Sequence, residues 1–341
     1  MKILYLSVHS ILEHDEIKLL TELGHEVFSP GGAYQNPHAP GDKKRPPIPD
    51  APYFDHLCQV AIQCSKEHLH PELIEWADVI MVMHRDDWIT NNWEQMKHKT
   101  VIWRTIGQSI SGSEDVLKPY REQGLKVVRC SDRERFISSN IGADAFIYFY
   151  KDPEEFYGYE GTNKIVMTVA QGMPSDTRRE HLNYHTFLEA TRGFPTHLYG
   201  PDNEISGLGG GLVDYEHMKM ALRMNRVYMY TGTQPASYTL GFIEAMMTGI
   251  PIVAIGEEHA QYIYHDKLYE IPYIIQNGVN GYFSDNIDKL REYIDLLLND
   301  QKLAKQIGEA GRQTAISIFG KDIVKEQWKT FLNSLTNQQP Q

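Results

Sequence analysis

Short apolar runs rich in Val, Ile, Leu and aromatic residues recur along the chain and alternate with longer segments of helical length and composition. In the first half the runs predict strands at Lys2–Val8, His25–Ser29, Asp78–Met83, Thr100–Thr105, Lys126–Ser131 and Ala145–Tyr150, with helices such as His14–Leu23 and Glu114–Gln123 between them. In the second half they predict strands at Lys164–Val169, Thr196–Tyr199, Arg226–Tyr230, Ile252–Ile255, Tyr273–Ile275 and Tyr282–Phe283. Such alternation is the mark of a parallel sheet covered by helices on both faces. The expected fold class is therefore α/β, with two Rossmann-like, doubly wound parallel-sheet domains facing across a cleft. The first is expected at 1–150 and the second at 163–320. Polar residues, Pro and Gly interrupt the alternation at 151–162, which reads as a linker. Leu290, Ile294 and Leu297 share one helical stripe, as do Val324, Trp328, Phe331 and Leu335 in a last helix at 321–336. Clefts between such domains, at the carboxyl ends of the strands, are where sheets of this kind bind ligands.

Composition narrows the class. The 341 residues suffice for two cores, and 41% apolar with 23% charged content is that of a globular protein. No apolar run reaches the roughly twenty residues that span a bilayer, and the first residues read as a strand rather than a signal peptide, so a cytoplasmic location is expected. Cys58, Cys64 and Cys130 form neither a disulfide framework nor a zinc pattern. The net charge of −12 argues against nucleic-acid or anionic-membrane partners, with one exception. Between Lys97 and Arg135, nine basic residues stand against five acidic ones, which reads either as a solvated face with scattered ion pairs or as an acceptor-binding surface.

The most informative stretch is 236–255, a polar loop entering a helix that carries one acid, then Gly, Pro and an apolar strand. Open amides at the start of such a helix, at its positive dipole end, suit a diphosphate. These are the amides of Ser237, Tyr238, Thr239 and Leu240. Glu244, further along the helix, is placed to bind the two hydroxyls of a ribose.

This stretch resembles the donor-binding segment of the GT-B glycosyltransferases of family 4, also called glycosyl transferases group 1. Their pattern is Glu, seven residues, Glu-Ala-Met, then Gly-x-Pro. Glu244-Ala245-Met246 and Gly249-Ile250-Pro251 match it, whereas Ala236 stands where the pattern has its first Glu. The resemblance runs from about Lys164 to Leu335 and includes Asn277-Gly278-Val279-Asn280-Gly281. It implies two facing domains joined by an Asp-Pro-x-x-Phe run, here Asp152 to Phe156, and a last helix that crosses back to the first domain; periodicity alone fits equally a helix that caps the second.

Further site residues follow from the same resemblance. Gln171 and Gly172 occupy the turn where the family has Gly-Arg, and Arg178 or Arg179 stands near its diphosphate-neutralising Lys. Gly200-Pro201 resembles the turn beside the nucleobase. His84 and Arg104, at the ends of two apolar strands, are candidates for the sugar side; with Arg178 they form the catalytic set. A strand-end histidine with a satisfied hydrogen bond is the alternative for His84, and an exposed pair with Asp176 and Glu180 is the alternative for the two arginines. His9 and Ser10 end the first strand and are acceptor-side candidates, with an idle loop histidine as the alternative. The Pro- and Gly-rich stretch from Pro30 to Pro52 reads as an acceptor-side lid or a surface excursion.

No metal site and no cofactor are expected: Asp86-Asp87 is not Asp-x-Asp, and the first strand lacks the Gly-x-Gly-x-x-Gly turn of dinucleotide enzymes. The implied activity is a retaining, metal-independent, hexosyltransferase-type reaction that moves a sugar from a nucleoside diphosphate sugar, UDP-sugar foremost. The acceptor stays open among a saccharide, a small molecule, a lipid-linked sugar and a modified nucleic-acid base. A nucleotide-sugar epimerase and a non-catalytic nucleotide-sugar-binding protein of the same fold are the alternatives.

Overall fold

Each strand expected in the first half forms, trimmed at one or both ends. The computed structural model describes residues 1–30, 54–65, 68–108, 111–264 and 267–336. Apart from Pro30, the stretch read as a lid lies outside the described residues. The chain divides into two units, one of Met1–Phe149 with Asp322–Gln341 and one of Tyr150–Lys321.

The first unit runs β1 (Lys2–Leu6), α1 (Ser10–Glu22), β2 (Glu26–Phe28), α2 (Asp55–Ala61), α3 (Pro71–Trp76), β3 (Val79–Met83), α4 (Asp86–Met96), β4 (Thr100–Arg104), α5 (Ser111–Glu122), β5 (Lys126–Arg129) and β6 (Ala145–Phe146). Its six strands are parallel in the order β2-β1-β3-β4-β5-β6. Central β3 reads Val-Ile-Met-Val-Met with every residue buried, the composition required of a strand covered on both faces.

The second unit runs β7 (Asn163–Val169), α6 (Tyr184–Thr191), β8 (Thr196–Tyr199), β9 (Gly209–Gly211), α7 (Tyr215–Met224), β10 (Asn225–Tyr230), α8 (Leu240–Thr248), β11 (Ile252–Ile255), α9 (Glu257–Ala260), α10 (Ile271–Ile274), β12 (Tyr282–Ser284), α11 (Ile287–Asn299) and α12 (Gln301–Phe319). Its six parallel strands are ordered β12-β11-β10-β7-β8-β9, the arrangement of a dinucleotide-binding sheet. Residues 151–162 are bound within this unit: Arg312 donates to the carbonyls of Pro153 at 2.8 Å, Phe156 and Met247, and Gln301 to that of Glu160 at 3.0 Å. The last helix, α13 (Lys321–Thr336), belongs from Asp322 to the first unit and buries Val324, Trp328, Phe331 and Leu332. Leu332, one turn beyond Trp328, takes the buried position expected of Leu335.

Two elements differ from the expectation. Of the run Tyr273–Ile275, the first two residues are helical, in α10, because Pro272 in the first turn presets a helical φ and has no amide to lose there; Ile275 is the extended residue that follows. β9 was absent from the apolar pattern because it is Gly-Gly-Gly. A methyl at Gly209 would stand 2.6 Å from the His197 ring, and one at Gly210 2.8 Å from the Leu198 carbonyl oxygen, so only glycine fits beside β8.

The helix of the Glu-Ala-Met segment is fixed from both sides. Phe242, Ile243 and Ala245 to Thr248 are buried, and Gly249 ends α8 at φ +93° with its amide on the Ala245 and Met246 carbonyls. Across from it, Gly308 of α12 packs against the Gly249 backbone, and Gly311 admits Met246.

Candidate functional site

In a doubly wound sheet, ligands bind at the carboxyl edge where neighbouring strands send their crossovers in opposite directions. In the second unit that point lies between β7 and β10, which pair through Val166 with Val227 and Met167 with Tyr228. The loop after β7 carries Gln171, Gly172, Arg178 and Arg179. The loop after β10 carries Ser237 to Leu240. In the first unit the corresponding point lies between β1 and β3, and it brings together the loop with His9 and Ser10 and the residue after β3, His84.

At the second unit's switch point, α8 begins with Thr239 in extended conformation and without a side-chain cap, and no acid occupies its first turn. The amides of that turn are left to an outside acceptor, and the helix dipole favours an anion there. Ser237 is wholly buried, and among the described residues its hydroxyl has no hydrogen-bond partner. The Tyr238 ring packs on Phe319 at 5.2 Å. Glu244 lies one turn beyond Leu240, on the same face of the helix, with Oε1 at 2.8 Å from Lys151 Nζ.

Buried tyrosine and asparagine side chains hold the loops around this point. The Tyr228 hydroxyl accepts from the Val169 amide at 3.3 Å, and a methyl on Gly241 would stand 3.0 Å from it, so the end of β7 and the start of α8 meet at one phenol. Burial raises the pKa of Tyr228 well above the ordinary phenol value, which keeps the hydroxyl protonated. Asn203 donates to the carbonyls of Ala170 at 2.7 Å and Gly200 at 3.0 Å and accepts from Met173 at 3.0 Å. Gly200, at φ +118°, has room for no methyl against the Ala170 carbonyl. Gln171 is exposed and donates to Asp202 at 3.3 Å.

The two arginines separate cleanly. Arg179 is paired with Asp176 at 3.0 Å on the exposed surface. Arg178 is half-buried, with Cδ 3.6 Å from where a methyl on Gly172 would stand, and its guanidinium has no ion-pair or hydrogen-bond partner among the described residues.

In the first unit, His84 stands at φ +65°, a left-handed conformation that is strained for histidine. Its amide donates to the Arg104 carbonyl at 2.9 Å, and its carbonyl accepts from the Trp103 indole at 3.0 Å. Its Nδ1 is buried with no partner among the described residues, and burial, outweighing Asp86 and Asp87, lowers its pKa from the usual 6.5. It is neutral at pH 7. Arg104 has no exposure; it binds Glu16 at 3.0 Å and 2.8 Å and lies 4.4 Å from the Phe149 ring and 5.4 Å from that of Trp328. That packing sets it in the core, with Nη1 buried and without a hydrogen-bond partner among the described residues. His9 caps α1, accepting from the Leu12 amide at 3.3 Å, and Ser10 is exposed at the helix start.

The basic stretch is largely neutralised. Lys97 pairs with Glu94, Lys99 with Glu75, Arg121 and Lys126 with Asp144, Arg129 with Glu114, and Arg135 with Asp132. Most of its cations thus stand against a carboxylate, with Arg121 and Lys126 sharing one. No helix among the described residues is long and apolar enough to cross a membrane.

No protein-family model matches the chain, and no curated protein does. Solved structures do match. Sucrose-phosphate synthase from Thermosynechococcus elongatus superposes with a TM-score of 0.69 at 15% identity, over 99% of this chain and 100% of its own. Anabaena HepE in complex with UDP-glucose gives 0.67 at 14% identity, over 98% and 100%. A glycosyltransferase from Rickettsia africae ESF-5 gives 0.67 at 15% identity, over 99% and 99%. The fold is GT-B.

Within this GT-B chain the sequence motifs and the topology converge, since Glu244, Gln171, Gly172, Gly200 and Arg178 all belong to loops or helices at one sheet edge. Lys151, Tyr228 and Asn203 were missed by motif reading. A single Lys closing the aromatic run Phe146 to Tyr150, just before Asp-Pro, was the available signal for the first.

Proposed function

We propose that the chain is a glycosyltransferase that takes its sugar from a nucleoside diphosphate sugar, with UDP-sugar as the donor class, without a metal and with retention of configuration. The observation that carries this reading is the uncapped start of α8 at the β7/β10 switch point, with Glu244 one turn in and, on the neighbouring loop, Arg178 without an ion-pair partner among the described residues. Amides and guanidinium would stabilise charge developing on the departing diphosphate, the main electrostatic task of this reaction. Glu244 would accept from the ribose hydroxyls. Neutral His84 suits a hydrogen-bonding role toward a sugar hydroxyl. HepE, which has the same fold, is seen in complex with UDP-glucose, in support of this donor class. A uridine nucleotide bound to the folded chain at a hundred times its Kd would stabilise it by about 2.7 kcal/mol.

Calorimetric titration with UDP, GDP and ADP tests the reading. One of them is expected to bind, with Glu244→Gln lowering the preference for the ribonucleotide over its 2′,3′-dideoxy form about tenfold. Absence of binding by all three, or an unchanged preference, would overturn it. One observation favours a second reading, binding without transfer: buried Ala236 places a methyl where the family has a carboxylate. Formation of a glycosylated product from UDP-glucose across saccharide and small-molecule acceptors would exclude it.

A further inference from the structure

Lys151 lies outside every motif, yet its side chain is 2% exposed and its ammonium is 2.8 Å from Glu244, itself 13% exposed. Its backbone is held in place: the amide donates to the Phe319 carbonyl at 3.0 Å, and the residue forms a parallel bridge with Gly320. The ammonium also lies 5.6 Å from the Phe156 ring centre. A lysine anchored at both ends holds its charge in place, and the Glu244 carboxylate stands against it. Removing the cation would take a counter-charge from a largely buried acid on the helix whose uncapped first turn suits an anion.

Resting on the donor reading above, we propose that Lys151 is the positioning residue and counter-charge of Glu244. It fixes the carboxylate's orientation toward a ribose and cancels its charge, so that a diphosphate approaching the start of α8 meets the helix dipole and Arg178 without repulsion from the acid. Two unit charges separated by one or two helical turns in a partly buried site change a binding constant on the order of tenfold. Uridine, lacking phosphates, is indifferent to this term. The charge of Lys151 should therefore appear in the ratio of UDP to uridine affinity.

The experiment measures that ratio in the full chain by calorimetry, with uridine read by competition against UDP. Lys151→Met is expected to lower the ratio about tenfold. Glu244→Gln, which removes the negative charge of the pair, is expected to raise it. The double variant, with neither charge, is expected to return it to within about twofold of the wild type. If Lys151→Met does not fold, the reversal in the double variant decides the matter, since loss of a merely structural lysine would leave the rise seen in Glu244→Gln in place. A wild-type chain that binds no nucleoside diphosphate overturns the donor reading. One that binds UDP with the same ratio in all variants overturns the role of Lys151 and leaves the donor site standing.

Discussion

Replacing Gly308 with alanine should destabilise the second unit, although the same change in an open helix stabilises. A methyl at this position of α12 would overlap the Gly249 carbonyl oxygen, with the carbonyl carbon at 3.0 Å and Pro251 Cδ at 3.4 Å. The obstacle is backbone at the end of α8, so no rotamer change relieves it. The two helices would have to part by about 1 Å, forfeiting much of the dispersion along their contact. Overpacking of this kind costs about 3 kcal/mol, and the intrinsic preference for Ala over Gly in a helix returns about 1 kcal/mol, leaving a net loss of about 2 kcal/mol. With a urea m value of about 2 kcal/mol per M, the midpoint by far-ultraviolet circular dichroism should fall by about 1 M. The matched control is Gly112→Ala in α5, where a methyl meets nothing within 4 Å. It should raise stability by about 0.5 kcal/mol. All five tryptophans lie in the first unit, so their fluorescence follows that control directly. An unchanged or higher midpoint for Gly308→Ala would refute the reasoning.

Arg178→Ala should weaken UDP binding at least tenfold, while Arg179→Ala, which removes only an exposed pair, should leave it within about twofold; calorimetry that reversed this order would reassign the anion-binding arginine. Arg129, wholly buried with two bonds to Glu114 at 2.8 Å and 2.9 Å, should cost about 3–5 kcal/mol when replaced by Met, and the further change Glu114→Gln should restore part of that loss in denaturant titrations. His84 titrates lower in the folded than in the unfolded chain, so its contribution is present above about pH 6.5 and is lost as pH falls through the lower folded value. Unfolding free energies measured between pH 7 and pH 5 should therefore decline less steeply in His84→Asn, which tolerates the left-handed conformation. Part of the slope should remain through His25, whose pKa is also lowered by burial and the nearby chain terminus. Equal slopes would count against a neutral buried His84.

Much of the architecture was written in the chain because parallel strands buried on both faces must be apolar along their length, as β3 is. Where another force shapes an element, composition misleads. β9 is set by close backbone approach and α10 by a proline, and neither leaves an apolar alternation. Helix α8 and its acid were legible because a Glu-Ala-Met helix with a Gly-x-Pro exit is a local pattern. Which of the two arginines is held by Asp176 was not, because that pairing depends on side-chain placement. Nor could sequence tell that Arg104 faces Glu16, eighty-eight positions away, or that Lys151 reaches Glu244. Such contacts are made by topology, and nothing in the nearby sequence announces them.

The first unit is assembled from both ends of the chain, with the second inserted between them. At a synthesis rate of about 5–20 residues per second, the stretch from Tyr150 to Lys321 takes roughly ten to thirty seconds to emerge. Throughout that interval the Arg104 guanidinium awaits the indole of Trp328, and the nascent amino-terminal sheet lacks its closing helix. The contiguous unit is thus able to finish first, reversing the usual amino-to-carboxyl order of maturation. A chain stopped before Asp322 would carry all six strands of the second unit while the first still lacked its last helix, a state in which chaperones would find their substrate at the amino terminus.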